Sequence, residues 1–300
     1  MDAPNYHIPV LLHDTVAGLD IDPEGVYVDV TFGGGGHSKE ILSKLTTGRL
    51  FAFDQDPDAA QNAPDDERFT LIPQNFRYLQ NYLRFYGVKE VDGILADLGV
   101  SSHQFDVPDR GFSIRYDAPL DMRMNPAGKL NARDIVNTWS EEQIRDVFKR
   151  FGELRNAGRA ARRLVELREE APINTTFELI KALNPLAPHG KEHKFQAQVF
   201  QALRIMVNEE MEALEALLEQ GLQVLKSGGR FSVLSYHSLE DRMVKYFFRS
   251  GRLDGEVEKD FFGQHLTPFK LIVKGNAPSE EEQRTNPRAR SARLRVAEKK

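Results

Sequence analysis

Val26-Tyr27-Val28-Asp29-Val30-Thr31-Phe32 runs straight into Gly33-Gly34-Gly35-Gly36. The first seven residues mix β-branched and aromatic side chains, the composition of a strand, and the glycines then remove every Cβ from the turn that follows. Backbone N–H groups in such a loop can lie against a flat or charged ligand. Residues 38–45 follow with Ile41, Leu42 and Leu45 at helical spacing, so the glycines join a strand to a helix. A second strand, Leu50-Phe51-Ala52-Phe53, ends at Asp54. An acid about 20 residues beyond a glycine loop is where a Rossmann-like site bonds ribose hydroxyls.

Asp29 stands four residues before Gly33. A carboxylate in the binding turn would repel a diphosphate but suits a ligand that carries an ammonium and a sulfonium. S-adenosylmethionine therefore fits better than NAD. No Gly-Lys-Ser/Thr follows the glycines, which removes the P-loop reading.

The chain has 300 residues, 40% apolar and 28% charged, enough for one large core or two modest ones. It has no cysteine, which excludes disulfides, thiolate metal sites and cysteine nucleophiles. No apolar run reaches the ~20 residues of a membrane span, and residues 1–10 lack the pattern of a signal peptide, so a cytoplasmic location is expected. The net charge is −5, but it is uneven. Residues 145–163 carry seven Lys or Arg against Asp146 and Glu153, and residues 284–300 carry seven against Glu298. Two basic zones on an acidic body point to phosphate contact, and hence to nucleic acid.

Residues 69–72 and 91–97 read as further strands, with a helix over 78–86 between them; strands alternating with helices predict a parallel, doubly wound sheet. The pattern breaks from about Asp106 to Lys194, where the signals are helical: the capping box Ser140-Glu141-Glu142-Gln143, a basic helix over 156–168 and a start at Thr175. One long helix carries Phe200, Leu203, Val207, Met211, Leu214, Leu218, Leu222 and Leu225, and Gly228-Gly229 stops it. Residues 230–236 form a strand, Ser238 caps the next helix, and 269–273 with 292–296 form a terminal hairpin. The domain reading is a split α/β domain over 1–106 and 198–300, with an inserted helical domain over 107–197.

With these pieces placed, the chain resembles the ribosomal RNA small subunit methyltransferase H family nearly end to end. The resemblance rests on His7-Ile8-Pro9-Val10-Leu11, on residues 29–38, and on Asp97-Leu98-Gly99-Val100-Ser101-Ser102. It continues through Arg110-Gly111-Phe112-Ser113, Pro119-Leu120-Asp121-Met122-Arg123-Met124 and Phe200-Gln201-Ala202-Leu203-Arg204-Ile205. Residues 235–242 (Ser-Tyr-His-Ser-Leu-Glu-Asp-Arg) and Asn286-Pro287-Arg288-Ala289-Arg290-Ser291 complete it. It implies a class I, Rossmann-like methyltransferase fold and S-adenosylmethionine-dependent methylation of N4 of a cytidine in the decoding region of 16S rRNA. The cofactor contacts it implies are Gly35, Gly36, His37, Asp54, Phe76, Asp97 and Gln104, and the partner is 16S rRNA or the small ribosomal subunit. Three residues depart from the common pattern: Tyr236 for Phe, Leu154 for Glu and His103 for Pro.

Asp97, at the end of the fourth strand, is the candidate catalytic carboxylate: with a nearby main-chain carbonyl it would bond the N4 amine while the methyl group transfers in line, with no covalent intermediate. The alternative is a carboxylate that only orients the cofactor. His37 reads as a backbone or cofactor contact, His237 as a residue facing the same crevice, and no spacing defines a metal site. Arg155, Arg159, Arg162 and Arg163, and Arg288, Arg290, Arg293 and Arg295, are the candidates for phosphate contact. Competing readings are a DNA amino-methyltransferase, disfavoured because Leu98-Gly99-Val100 replaces its Pro-Pro-aromatic motif, a non-catalytic RNA-binding or assembly factor, and more distantly an NAD-dependent dehydrogenase. The sequence leaves a homodimer open.

Overall fold

The computed structural model describes residues 9–263 and 265–300, with only the backbone of His265. His7 and Ile8 of the expected opening motif lie outside the described residues. The chain forms two compact units, Met1–Gly99 with Met211–Lys300, and Val100–Glu210.

The first unit is built on strands β1 (Val26–Asp29), β2 (Arg49–Phe53), β3 (Phe69–Ile72), β4 (Val91–Asp97), β5 (Leu225–Ser235), β8 (Phe269–Asn276) and β9 (Arg293–Lys299); β6 (Glu258–Lys259) and β7 (His265–Leu266) pair apart from them. The seven-stranded order is β3-β2-β1-β4-β5-β9-β8. β1 pairs in parallel with β2 and with β4, Val28 lying opposite Phe51 on one side and Ile94 on the other. Both are interior strands covered on two faces, which is why 50–53 and 94–96 read as unbroken apolar runs. The chain winds outward from β1 to β3, then returns to place β4 on the far side of β1. That reversal opens a crevice beyond the carboxyl ends of β1 and β4, the position at which doubly wound sheets bind ligands.

One core of this unit gathers Tyr27, Ile41, Leu42, Leu45, Leu50 and Leu95. The Tyr27 hydroxyl accepts from the Asp22 N–H at 2.7 Å, and burial pushes its pKa up to about 12.

Four local readings of the sequence are revised. The long helix is two, Glu192–Asn208 and Glu210–Val224, divided at Glu209, whose φ is 49°. The Asn208 amide donates to Met122 O and Arg204 O and accepts from the Met124 N–H, while Arg204 pairs with Glu210 at 2.8 Å. Apolar steps of three and four persist across the break, so periodicity alone does not register it. Gly228 and Gly229 lie within β5 rather than ending a helix: Val91 pairs with Leu225 but Gly93 pairs with Arg230, so residues 226–229 loop out of register. The cap of helix Ser238–Ser250 is His237, whose Nδ1 accepts from the Glu240 N–H. β8 and β9 do pair antiparallel, but helix Glu280–Thr285 and a 3₁₀ turn lie between them, so they are no tight hairpin.

The second unit has no strand among its described residues and packs helices Ala132–Thr138, Glu141–Arg150, Ala157–Glu170, Thr176–Leu183 and Glu192–Asn208. Ser140 and Gln143 form the expected capping box, and Thr175 forms another with Glu178. Ile144, Phe148, Ala160, Ala161, Leu164, Leu179 and Leu203 are buried. No helix of the described residues is long and apolar enough to cross a membrane.

Candidate functional site

Three carboxylates stand at the ligand-facing ends of the central strands: Asp29 closes β1, Asp54 follows β2 and Asp97 closes β4. They do different work. Asp29 is fully buried; it accepts from the Ser38 hydroxyl at 2.7 Å and the Thr31 N–H at 3.1 Å. Its expected place against a cationic ligand is therefore corrected: the carboxylate is closed to solvent and ties the end of β1 to Ser38 of the next helix. Any effect on a ligand passes through its field. Burial raises its pKa, partly offset by the adjacent His37.

Asp54 is a clamp. Oδ2 accepts from the Gly33 N–H at 2.7 Å and Oδ1 from the Asp56 N–H at 2.8 Å. A carboxylate has about four acceptor sites, so two remain for hydroxyl donors. Burial outweighs both bonds and raises the Asp54 pKa to about 6. The loop it grips is further held by Asn62, which donates to Gly33 O, and by the Gly35 N–H bonded to Phe32 O.

Gly35 sits at φ 76°, and a Cβ there would come 3.0 Å from the Phe32 ring. At Gly36 a Cβ would reach 2.2 Å from Pro9 Cγ. These two glycines are needed first by the protein's own packing. Gly34, whose added Cβ would meet nothing, is the open face of the loop. Helix Gly36–Lys44 begins here, with Gly35 as its N-cap and no side chain capping it.

Asp97 is partly exposed, with 24% of its side chain accessible. Its N–H donates to Thr31 Oγ1 at 2.6 Å, which links the ends of β4 and β1. Oδ1 accepts from the Tyr236 hydroxyl at 2.6 Å, and Oδ2 lies 3.8 Å from His37 Nδ1. Burial pushes its pKa up to about 7, with Tyr236 drawing it down and Glu240 drawing it up. His37 is itself buried, its Nε2 has no hydrogen-bond partner, and burial lowers its pKa.

Among the described residues no Lys or Arg pairs with Asp29, Asp54 or Asp97. Acids gathered without a cation are held towards neutrality by burial, and a ligand that brings its own positive charge suits them. Phe76 adds a half-buried ring at the end of β3, and its neighbour Asn75 donates to Gln55 beside Asp54. Gly35, Gly36, His37, Asp54, Phe76 and Asp97 thus all belong to the first unit, around the ends of β1 to β4. Gln104 belongs to the second unit, where it is buried and forms a capping box with Ser101. His237 caps its helix and its Nε2 lies 3.1 Å from Glu240 Oε1, a structural engagement.

Sequence reasoning missed two participants. Thr31 is hidden because a threonine in a strand end is ordinary. Tyr236 was visible as a departure from Phe, and its hydroxyl is what touches Asp97.

The basic candidates divide as well. Arg155, Arg159 and Arg162 are exposed, with Arg162 3.6 Å from Glu141. Arg163 donates to Ala182 O and so secures its own unit. In the tail, Arg295 is committed to Asp241 through two bonds of 2.8 and 3.0 Å, and Arg293 donates to Ala292 O, while Arg290 is exposed.

A doubly wound sheet with a glycine loop after β1 and, at the ends of β1, β2 and β4, acids with no Lys or Arg partner among the described residues is the framework of a Rossmann-like methyltransferase. The chain belongs to the MraW methylase family, whose model matches residues 5–300, and its methyl donor is S-adenosylmethionine. It is 60% identical to the ribosomal RNA small subunit methyltransferase H of Cytophaga hutchinsonii, over 98% of this chain and 99% of that protein. It is also 60% identical to the protein of the same name from Flavobacterium johnsoniae, over 98% of each. Among solved structures it is similar to an rRNA methylase from Streptococcus thermophilus, at 13% identity and a TM-score of 0.42, covering 96% of this chain and 93% of that one.

Proposed function

We propose that the protein methylates N4 of a cytidine in 16S rRNA, in the decoding region, and does so in the cytoplasm. The rRNA substrate is supported by the full-length relatives named for that activity, and the cytidine N4 position by the family resemblance of residues 97–102 and 235–242. The observation that carries the chemistry is Asp97: a partly exposed carboxyl at the end of β4 with a pKa near neutrality and one oxygen not engaged by Tyr236.

The loop of Gly35 and Gly36, open at Gly34, would bring backbone N–H groups to the donor, Asp54 would take its ribose hydroxyls, Phe76 would offer a flat face to its adenine, and His37 would line the crevice beside Asp97. Bound there, S-adenosylmethionine would supply an electrophilic methyl carbon on a sulfonium, whose C–S bonding pair stays with the sulfur as a neutral thioether. The exocyclic amine is a poor nucleophile because its lone pair is delocalised into the ring. Asp97, ionised, accepts a hydrogen bond from that amine, which turns the lone pair towards the methyl carbon and stabilises the positive charge that develops as the N–C bond forms. The carboxylate then takes the surplus proton, and solvent removes it. With no cysteine in the chain, no thiolate adduct is available, and the transfer is direct.

Arg155, Arg159 and Arg162 on the second unit and Arg290 on the tail are the phosphate contacts of this reading.

Purified protein, labelled S-adenosylmethionine and small ribosomal subunits lacking the modification test it. Labelled N4-methylcytidine after nuclease digestion is the expected product. Another labelled nucleoside, or none, overturns the substrate assignment.

A further inference from the structure

The aromatic residue that follows β5 carries a hydroxyl, and that hydroxyl is not idle. Tyr236 Oη lies 2.6 Å from Asp97 Oδ1, a distance typical of a charge-assisted bond between a hydroxyl and a carboxylate. Asp97 ends β4 opposite Leu234 of the adjacent parallel strand β5, and Tyr236 is the first residue beyond the end of β5 at Ser235. The Tyr236 N–H is in turn bonded to Glu240 Oε2 at 2.9 Å, and Glu240 is buried on the following helix. Tyr236 is therefore engaged at both ends, its backbone N–H by Glu240 and its hydroxyl by Asp97.

We propose that Tyr236 is a positioning residue for methyl transfer: its hydroxyl fixes Asp97 Oδ1, which leaves Oδ2 as the oxygen presented to the amine nucleophile. A phenylalanine would fill the same volume and leave the carboxyl free to rotate about its Cβ–Cγ bond, so that either oxygen, or neither, met the amine. This inference rests on the reading of Asp97 as the group that bonds the amine.

The phenol also acts on the proton affinity of Asp97. The titratable groups facing that carboxyl are Tyr236 after β5, His37 on helix Gly36–Lys44, Asp29 at the end of β1 and Glu240 on helix Ser238–Ser250; Glu282 adds its charge at Tyr236. Of these, Tyr236 makes the bond that favours the ionised carboxyl, and Glu240 opposes it. The phenol itself does not ionise in the working range, because burial and the neighbouring Asp97 raise its pKa well above the ordinary value. It is a fixed donor across the pH range in which Asp97 titrates.

Tyr236→Phe, assayed by single-turnover methylation at saturating cofactor across pH, beside Asp97→Asn and the native protein, tests the proposal. The expected result is a roughly tenfold lower rate and an acid limb moved to higher pH by about one unit, with cofactor affinity unchanged. A merely structural tyrosine would move neither the limb nor the rate at fixed cofactor occupancy. If Asp97→Asn is inactive while Tyr236→Phe keeps the native rate and pH profile, the inference about Tyr236 is overturned and the reading of Asp97 stands. If Asp97→Asn is as active as the native protein, the reading of Asp97 falls, and the proposal with it.

Discussion

The Gly33 N–H donates to Asp54 Oδ2 over 2.7 Å, so the acid that ends β2 also holds the loop that ends β1. One carboxylate is thus both the proposed ribose contact and the brace that shapes the glycine loop. Asp54→Asn keeps one acceptor oxygen but replaces the other with an NH₂ group that cannot accept from a backbone N–H. The expected outcome is cofactor binding weakened by about 10- to 100-fold, or roughly 1.4–2.7 kcal/mol, with the fold retained. Isothermal titration with S-adenosylhomocysteine measures it, and an unchanged Kd would remove Asp54 from the ligand contacts.

Asp29 makes the opposite prediction. Its oxygens serve Ser38 and Thr31 in a site closed to solvent, so Asp29→Ala strands a hydroxyl and an amide without acceptors. A loss of about 1–3 kcal/mol in unfolding free energy is expected. Urea denaturation monitored by circular dichroism reads it, and a loss below about 0.5 kcal/mol would contradict the assignment of Asp29 to the scaffold.

The raised carboxyl pKa values carry a stability signature of definite sign. Asp97 titrates near 7 in the folded protein and near 4 in the unfolded chain, so between those values the native state binds more protons than the unfolded one. Stability attributable to Asp97 therefore falls as pH rises from about 4 to about 7, and Asp54, at about 6, acts in the same direction. Asp97→Asn removes that penalty. The variant should be more stable than the native protein by about 1–3 kcal/mol at pH 8, with the difference shrinking towards pH 4. Melting temperatures at the two pH values check it; a variant less stable at pH 8 would show that Asp97 is not held under this penalty.

The arginines separate into two experimental classes. Neutralising Arg155, Arg159 and Arg162 together should lower the salt dependence of RNA binding, by roughly 0.7–0.9 in slope for each phosphate no longer neutralised, at little cost in stability. Arg295→Ala should instead destabilise the fold, because it leaves Asp241 without its bidentate partner in a half-buried position. Filter binding over a range of salt, paired with thermal melts, distinguishes the two; an unchanged slope for the triple variant would clear that helix from the interface.

Much of this architecture is legible in the chain. The order of strand, glycine loop, helix and acid in residues 26–54 defines the central sheet, because buried parallel strands must be apolar and the crevice acids must sit just past them. The break at Glu209 is not legible: Asn208 is held by carbonyls of residues 122 and 204, and a tertiary contact leaves no mark on helical periodicity. The capping role of His237 is masked because Ser238, a better cap by residue type, stands next to it. Positive charge in sequence also does not reveal which arginines are already engaged, and Arg163 and Arg295 are. The Asp97–Tyr236 bond joins residues 139 apart, so only the folded sheet discloses it.

In this mechanism Asp97, as a carboxylate, bonds the amine and takes its surplus proton once the methyl group has transferred. The most direct measurement is the single-turnover methylation rate of native protein and Asp97→Asn on undermethylated small subunits, at saturating cofactor, with cofactor binding measured separately. The native rate should rise with pH through an acid limb near 7, and Asp97→Asn should lose about 100-fold or more while still binding the cofactor. An Asp97→Asn rate equal to the native rate across that pH range would contradict the account.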